Sequence, residues 1–261
     1  MNLFGDGKRK AAAFPRGVGT VLFIVLALAI WETVALAVAA PYIVPKPQDV
    51  AVRAVELMVT AGFWQAVGWS LLRVLVGFAC GMVLGVACAL PMAAWPHVRA
   101  VFAPFVKVMR TVPVVCFILL MLLWVNATWL SAIISALMVL PVAWTGAIEA
   151  LDSIDRGIVE VARVFKLGAM RRLFKLYLPA IAPQLLSTAV VGLGLAWKSG
   201  ITAEVLALPM FGMGSGIYHA KIALEAADIF VWALVIIVIS LAMETALRAC
   251  ASHFPGWETS R

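Results

Sequence analysis

The chain is divided by mainly apolar stretches that are long enough to cross a lipid bilayer. They cover residues 18–40, 66–90, 112–125, 129–148, 180–200 and 229–247. A spanning helix needs about 20 residues, and the third stretch reaches that length only if 101–108 belong to it. Of all residues, 64% are hydrophobic and 13% charged, an apolar excess that a soluble core of this size cannot hold. We therefore predict an all-α membrane protein with about six transmembrane helices.

The first apolar stretch follows a basic N-terminal tail, a combination that also occurs in cleavable signal peptides. Residues 18–40 are interrupted only by Glu32, and this run is longer than the apolar core of a signal peptide, which has about 7–15 residues. We therefore interpret it as an uncleaved first span. The predicted organisation is an N-terminal tail over 1–17, a single transmembrane domain over 18–250 and a C-terminal tail over 251–261.

Positive charge is distributed unevenly among the segments that join the spans. If both tails are cytoplasmic, most of the 20 Lys and Arg lie in the cytoplasm, and those left outside are Lys46, Arg53 and Lys221. Cytoplasmic loops of membrane proteins carry such an excess of Lys and Arg. The sequence therefore predicts a multi-pass protein of a bacterial inner membrane with both termini cytoplasmic. The net charge of +7 then reflects topology, and we expect no binding to nucleic acid.

The second span carries glycines at a spacing of four residues. These are Gly77, Gly81 and Gly85, and Ala89 continues the series. Residues four apart share one helix face, and small residues there let two backbones approach closely in a membrane. We therefore expect this face to pack against another helix, either as a fixed seam or as a moving interface.

Three ionisable residues fall in or beside predicted spans, namely Arg73, Lys198 and Glu204. A charge at the bilayer centre costs about 2.5–3.5 kcal/mol on insertion scales. One interpretation is that the three side chains face a polar pathway for a solute. In the other, Arg73 and Lys198 extend to the nearer membrane surface, and Lys198 pairs with Glu204. The sequence leaves both interpretations open.

The segment between the fifth and sixth spans is rich in glycine, with Gly212, Gly214 and Gly216. It is not a phosphate loop, because neither a strand nor the lysine of a P-loop accompanies it. Two interpretations remain, a re-entrant or flexible gate and an ordinary turn-rich connection.

The sequence contains no arrangement that would carry catalysis or hold a metal. A G-x-x-x-x-G-K-[ST] motif does not occur, so another chain would have to hydrolyse ATP. The three histidines are scattered, and the four cysteines form no C-x-x-C pair. We therefore predict a non-catalytic chain without a metal or a cofactor.

A basic hinge over about 150–179 joins the fourth and fifth spans. Its charges alternate with apolar residues at helical spacing, which predicts two short amphipathic helices. We expect Gly168 to supply the turn between them, Pro179 to end the second helix and Pro183 to lie in the first turn of the next span. Asp152 and Asp155 would begin the first helix, where they favour its dipole. Helices of this kind lie on lipid or dock into a partner protein.

The hinge resembles the EAA loop of permease subunits of ATP-binding-cassette importers. That loop reads E-A-A, three residues, G, nine residues, a hydrophobic residue, any residue, then L-P. Glu160, Ala162, Leu176, Leu178 and Pro179 match it, whereas the middle alanine is replaced by Val161 and the glycine by Lys166, with Gly168 two residues later. The resemblance covers about 64–247. SLLRVLVGFACGMVLG and GLGLAWKSGITAEVL resemble the branch for nitrate, sulfonate, taurine and thiamine precursors.

The resemblance implies a particular mechanism and particular partners. The EAA loop would form a coupling helix that fits a cleft on a cytoplasmic ATP-binding subunit. Two permease copies, expected as a homodimer, would switch from inward-open to outward-open when that ATPase closes. An extracytoplasmic substrate-binding protein would deliver the solute.

Two other classes of function compete with this interpretation. An ion-coupled secondary transporter or channel would need intramembrane acids and repeat symmetry, and only Glu204 and Glu32 are candidates. A structural anchor that recruits a cytoplasmic partner would leave Arg73 without a role in a pathway.

Overall fold

The protein is built from α-helices in the computed structural model, which describes residues 16–155, 157 and 168–252. In chain order the helices of these segments are α1 (Arg16–Val38), α2 (Pro47–Met58), α3 (Ala61–Ala94), α4 (Pro96–Thr111), α5 (Val114–Met121), α6 (Ala127–Asp152), α7 (Ala169–Arg172), α8 (Leu178–Ala207), α9 (Met213–Ile222) and α10 (Ala226–Ala251). The predicted all-α class is confirmed.

Five helices, α1, α3, α6, α8 and α10, are each long and apolar enough to cross a bilayer. The pair α4–α5 makes a sixth candidate, but it is bent by 95°. The expected third span is therefore not one continuous helix. Pro113 explains the break, because it has no N–H to donate and disfavours helical backbone at the residue before it. Alone, α5 has 8 residues and is only about 12 Å long, too short to cross.

Local sequence explains where the long helices begin. The hydroxyl of Thr60 accepts a hydrogen bond from the backbone N–H of Phe63 at the start of α3, at 3.3 Å. The side-chain oxygen of Asn126 does the same for Thr128 at the start of α6, at 2.9 Å. Pro47 and Pro96 open α2 and α4, positions where a missing N–H costs nothing.

Three helices form the centre of the bundle, with α6 packed between α3 and α8. The buried hydroxyls of Ser131 and Ser135 donate to the carbonyls of Gly200 and Ala196 on α8, at 3.0 and 2.9 Å. Around this centre, α9 and α10 pack against α8, and α2 packs against α10. The first helix is mostly exposed and is fixed near its end, where the indole N–H of Trp31 donates to the carbonyl of Pro45 at 3.0 Å.

The hinge leads into α8 without a break. A π-helical turn over Leu173–Tyr177 connects α7 directly to α8, so the expected helix end at Pro179 is wrong. Pro179 removes one backbone donor, and the wider turn before it accommodates that loss. Pro183 likewise lies inside α8. Asp152 is the last residue of α6, not the start of a hinge helix, whereas Asp155 accepts a hydrogen bond from Gly157 N–H at 2.8 Å.

Candidate functional site

A buried ion pair joins α3 to α8 near the end of the bundle where α3 begins and α8 ends. A guanidinium nitrogen of Arg73 lies 3.1 Å from Oε1 of Glu204. Arg73 is 2% exposed and Glu204 is fully buried. Of the two interpretations left open by the sequence, the one in which Arg73 extends to the membrane surface and Lys198 pairs with Glu204 is therefore wrong.

The carboxylate of Glu204 is surrounded by further donors. The hydroxyl of Ser70 donates to Oε2 at 2.6 Å, and the backbone N–H of Gly214 donates to the same oxygen at 3.2 Å. Ser70 in turn accepts from the backbone N–H of Met213 at 2.9 Å. A buried charge is tolerated when it is paired and hydrogen-bonded in this way, so this carboxylate of α8 is held in place from two other helices, α3 and α9.

Arg73 extends the same network to the turn between α8 and α9. The guanidinium nitrogen that pairs with Glu204 also donates to the carbonyl of Phe211, and the guanidinium carbon lies 5.5 Å from the centre of the Trp69 ring. Leu208, which ends α8, adopts a left-handed backbone with φ 53°. We call Ser70, Arg73, Glu204, Phe211 and Gly214 the polar cluster.

The glycine-rich segment belongs to this cluster. Gly212 precedes α9, and Gly214 and Gly216 lie within it, so a helix replaces the expected loop. A Cβ on Gly214 would stand 2.6 Å from both Cβ of Glu204 and the backbone N of Val205, closer than real Cβ contacts allow. Glycine is needed here because α9 approaches the backbone of α8 so closely.

The regularly spaced glycines of α3 lie against α6. A Cβ on Gly77 would overlap the carbonyl oxygen of Ala132. On Gly81 it would stand 2.7 Å from the carbonyl oxygen of Ala136, and on Gly85 2.6 Å from Cβ of Ala143. Close backbone contact between α3 and α6 therefore depends on the missing side chains.

Lys198 lies apart from the polar cluster, on a face of α8 that the rest of the protomer leaves partly uncovered. Gln184, Ser187, Val191, Gly194, Lys198 and Thr202 share this face, which we call the open face of α8. Lys198 is exposed, and Val191 is 60% exposed. The structure thus separates the three ionisable residues that the sequence suggested as one pathway, with Arg73 and Glu204 sealed inside and Lys198 outside.

Within the hinge, residues 150–155, 157 and 168–179 are described. Glu160, Val161, Ala162 and Lys166 lie outside the described residues. Gly168 is exposed, and its carbonyl accepts the N–H of Arg172 at 3.0 Å. Leu176 and Leu178 are half-buried and Pro179 is exposed. At the same end of the bundle, Arg99 of α4 binds Asp152, the last residue of α6, at 2.8 Å.

Sequence reasoning missed the neutral members of the polar cluster. Ser70 lies three residues before Arg73 and therefore on the same helix face, a spacing that could have indicated it. The carbonyl of Phe211 and the N–H of Gly214 are backbone groups. No side-chain pattern could have identified them.

A central helical trio, five or six candidate spans and a basic hinge between α6 and α8 define a multi-pass α-helical membrane protein. Residues 81–249 match the model of the family described as binding-protein-dependent transport system inner membrane component. The chain belongs to this family, and the family predicted from the sequence is thereby confirmed. It is an ABC importer permease.

Named relatives agree with this family. The chain is 27% identical over 250 residues to the taurine transport system permease protein TauC of Escherichia coli K12, covering 92% of this chain and 88% of that one. It is 24% identical over 188 residues to the formylaminopyrimidine transport permease protein ThiX of Halalkalibacterium halodurans, covering 71% of this chain and 74% of that one.

The fold also has a solved counterpart. A chain of the MetNI methionine ABC transporter, in an inward facing conformation, superposes with a TM-score of 0.53 and 18% sequence identity. The match covers 72% of this chain and 94% of that chain. At this identity the likeness concerns the fold alone.

Proposed function

We propose that this permease carries a small solute inward between two copies of itself, driven by a separate ATP-binding subunit that pushes on the hinge. The observation that carries the proposal is the way the two helices flanking the hinge are joined. Hydroxyls of Ser131 and Ser135 on α6 bind carbonyls of α8, so the helices on either side of the hinge are tied together. A displacement at the hinge would therefore move both as a unit.

The same packing would carry that displacement to the far end of the bundle. Helix α8 has 30 residues and is about 45 Å long, and its last turn contains Glu204 of the polar cluster. Glu160, Val161, Ala162 and Lys166, with Gly168, Leu176, Leu178 and Pro179, would form the surface that meets the ATPase. The transmembrane domain would extend over 18–250, between cytoplasmic tails.

Charge supports an orientation with the hinge in the cytoplasm. The hinge end of the bundle carries Arg99, Arg171 and Arg172, whereas Arg53 and Lys221 lie at the opposite end, with the polar cluster. Because cytoplasmic segments carry the excess of Lys and Arg, we place the hinge and both termini in the cytoplasm. A substrate-binding protein would then deliver the solute to the end that carries the polar cluster.

The solute is proposed from the relatives. TauC is named for taurine and ThiX for formylaminopyrimidine, so we expect a solute of the sulfonate, nitrate, taurine or thiamine-precursor type. An ion-coupled transporter is less well supported, because Glu204 is fully buried and bound by Ser70, Arg73 and Gly214. It has no free oxygen to offer a migrating ion.

Reconstitution with and without the partners tests this function. The chain is purified alone and together with its ATP-binding subunit and binding protein, and is then placed in lipid vesicles. We expect uptake of radiolabelled taurine or a formylaminopyrimidine only when ATP is hydrolysed. Uptake by the chain alone, driven by a proton or sodium gradient, would overturn the proposal.

A hinge substitution tests where the ATPase acts. We expect Glu160→Arg to leave assembly of the permease intact but to abolish ATP-driven uptake, because it places a cation where the family has an acid. Glu244→Arg is the matched control, since Glu244 is exposed and binds only Arg248 one turn away among the described residues. Normal uptake by the Glu160 variant would contradict the coupling role.

A further inference from the structure

In the five helices that are each long and apolar enough to cross a bilayer, two cations lie away from the helix ends. They are Arg73 and Lys198. Arg73 is neutralised by Glu204 at 3.1 Å. Lys198 has no carboxylate partner in the described part of the chain, and its side chain is exposed. One uncompensated positive charge therefore stands on the open face of α8.

The position of Lys198 argues against a lipid-facing side chain. It lies nine residues before Ala207, the last residue of α8, and so about 14 Å from the end of the helix. The same face carries the amide of Gln184 and the hydroxyls of Ser187 and Thr202, each of which donates to the backbone carbonyl one turn earlier. Polar and charged residues within spans face protein or water-filled cavities, because lipid cannot solvate them. The open face of α8 is thus suited to border a water-filled path.

The structure also indicates that the charge which such a path would present to a solute is positive. Arg73 and Glu204 would favour an anion and a cation respectively, but both are buried and bound to each other. The other residues of the open face are uncharged. A lysine ammonium is a compact charge with three donors that can turn toward an oxygen ligand.

We propose that Lys198 is a specificity-determining residue of the translocation path, where it binds and selects small oxyanions such as a sulfonate group. This inference rests on the proposed importer function and narrows its solute to the anionic members of the class. On the same face, Gln184 precedes Lys198 along α8 and Thr202 follows it, and both would offer the solute further polar contacts.

Cysteine modification tests the inference without knowledge of the solute. In a full-length chain with its four cysteines replaced by alanine, Thr202→Cys places a thiol one turn from Lys198, about 5–6 Å between Cβ atoms. The modification rates with an anionic and a cationic methanethiosulfonate, the ethylsulfonate and the ethyltrimethylammonium, are measured in vesicles. We expect the anionic reagent to be favoured.

The charge at residue 198 is then varied. Lys198→Gln should lower the ratio of the anionic to the cationic rate by about tenfold, because one charge at this distance changes the local potential by that order. Lys198→Arg should keep the ratio. Lys221→Gln, which removes an exposed cation from α9, is the matched control and should also leave it unchanged.

Two results would overturn the inference. If neither reagent modifies Thr202→Cys, the open face borders lipid or a dry interface. If the ratio does not respond to Lys198→Gln, the lysine does not select anions. Because the measurement needs neither ATP nor a binding protein, it decides on Lys198 even if ATP-driven uptake fails.

Discussion

Arg73 and Lys198 are both cations in membrane-spanning helices, but their surroundings differ completely. Arg73 is 2% exposed, lies on the packed face of α3 and is bound to a carboxylate and a backbone carbonyl. Lys198 is exposed and lies on a face that the protomer leaves partly uncovered. A charge that is sealed in this manner serves structure, whereas a charge left open is available for a ligand. The difference supports a structural role for Arg73 and is consistent with the transport role that we propose for Lys198.

The largest expected effect on stability comes from breaking the buried ion pair between Arg73 and Glu204. Removing one partner of a buried ion pair leaves the other charge unpaired, which costs about 3–5 kcal/mol. We therefore expect Arg73→Met and Glu204→Gln each to lower the free energy of unfolding by about that amount. The measurement is equilibrium unfolding of the purified chain in mild detergent.

Two further variants sharpen this expectation. The double variant should lose clearly less than the sum of the single losses, because neither charge is then left alone. Lys198→Gln should change the free energy of unfolding by no more than about 0.5 kcal/mol, as is usual for exposed sites. A large loss in the Lys198 variant would remove the distinction between the two cations.

A smaller effect is expected from glycines that neighbour the two cations on the same helix faces. Gly77 lies one turn after Arg73 and Gly194 one turn before Lys198. A Cβ on Gly77 would overlap the carbonyl of Ala132, whereas nothing lies within 4 Å of a Cβ on Gly194. Gly77→Ala should destabilise by about 1–3 kcal/mol through overpacking.

Gly194→Ala is the matched control and should stabilise by about 0.5–1 kcal/mol, because alanine favours helix over glycine. Thermal unfolding of both variants in one detergent gives the comparison. Equal effects of the two substitutions would show that the faces are not packed differently.

The fold could be predicted from the sequence wherever a helix is long and apolar. The apolar stretches predicted the long spans, because bilayer thickness fixes how many apolar residues a helix needs. The sequence did not predict the bend between α4 and α5. There, the apolar run continues across Pro113, and composition alone does not show that the backbone turns by 95°.

The candidate site was predicted less completely. Arg73 and Glu204 could be singled out because charges in spans are costly. Their pairing could not be predicted, because the two residues are 131 positions apart in the sequence. The sequence offered Lys198 as a nearer partner for Glu204. That expectation failed because Lys198 and Glu204 are six residues apart, which places them on different sides of α8. The backbone groups that complete the cluster, the accepting carbonyl of Phe211 and the donating N–H of Gly214, could not be foreseen, because they depend on how α9 folds back.

A smaller loss than at the buried ion pair is expected at the ion pair between α2 and α10, whose cation is more exposed than Arg73 and, unlike Lys198 within the described residues, has carboxylate partners. Arg53 of α2 binds Asp228 of α10 at 2.5 Å, and its side chain is 37% exposed. Arg53→Met should destabilise by about 1 kcal/mol, because solvent screens the exposed Arg53 side of the pair while the buried carboxylate of Asp228 loses its partner, and this loss should shrink in high salt.

The pH dependence of the same pair follows from the pKa of Arg53. Hydrogen bonds to Asp228, and then to Glu56, raise the pKa of Arg53 above its ordinary value. A raised pKa gives stability that is complete below the unfolded-state pKa and is lost only as the pH rises through the folded-state pKa. Because arginine stays protonated to about pH 12, the loss caused by Arg53→Met should be the same at about pH 7 and about pH 9.5. Unfolding measured at both values checks this, and a loss that fades at the higher pH would mean that a group other than the Arg53 guanidinium controls the contact between α2 and α10.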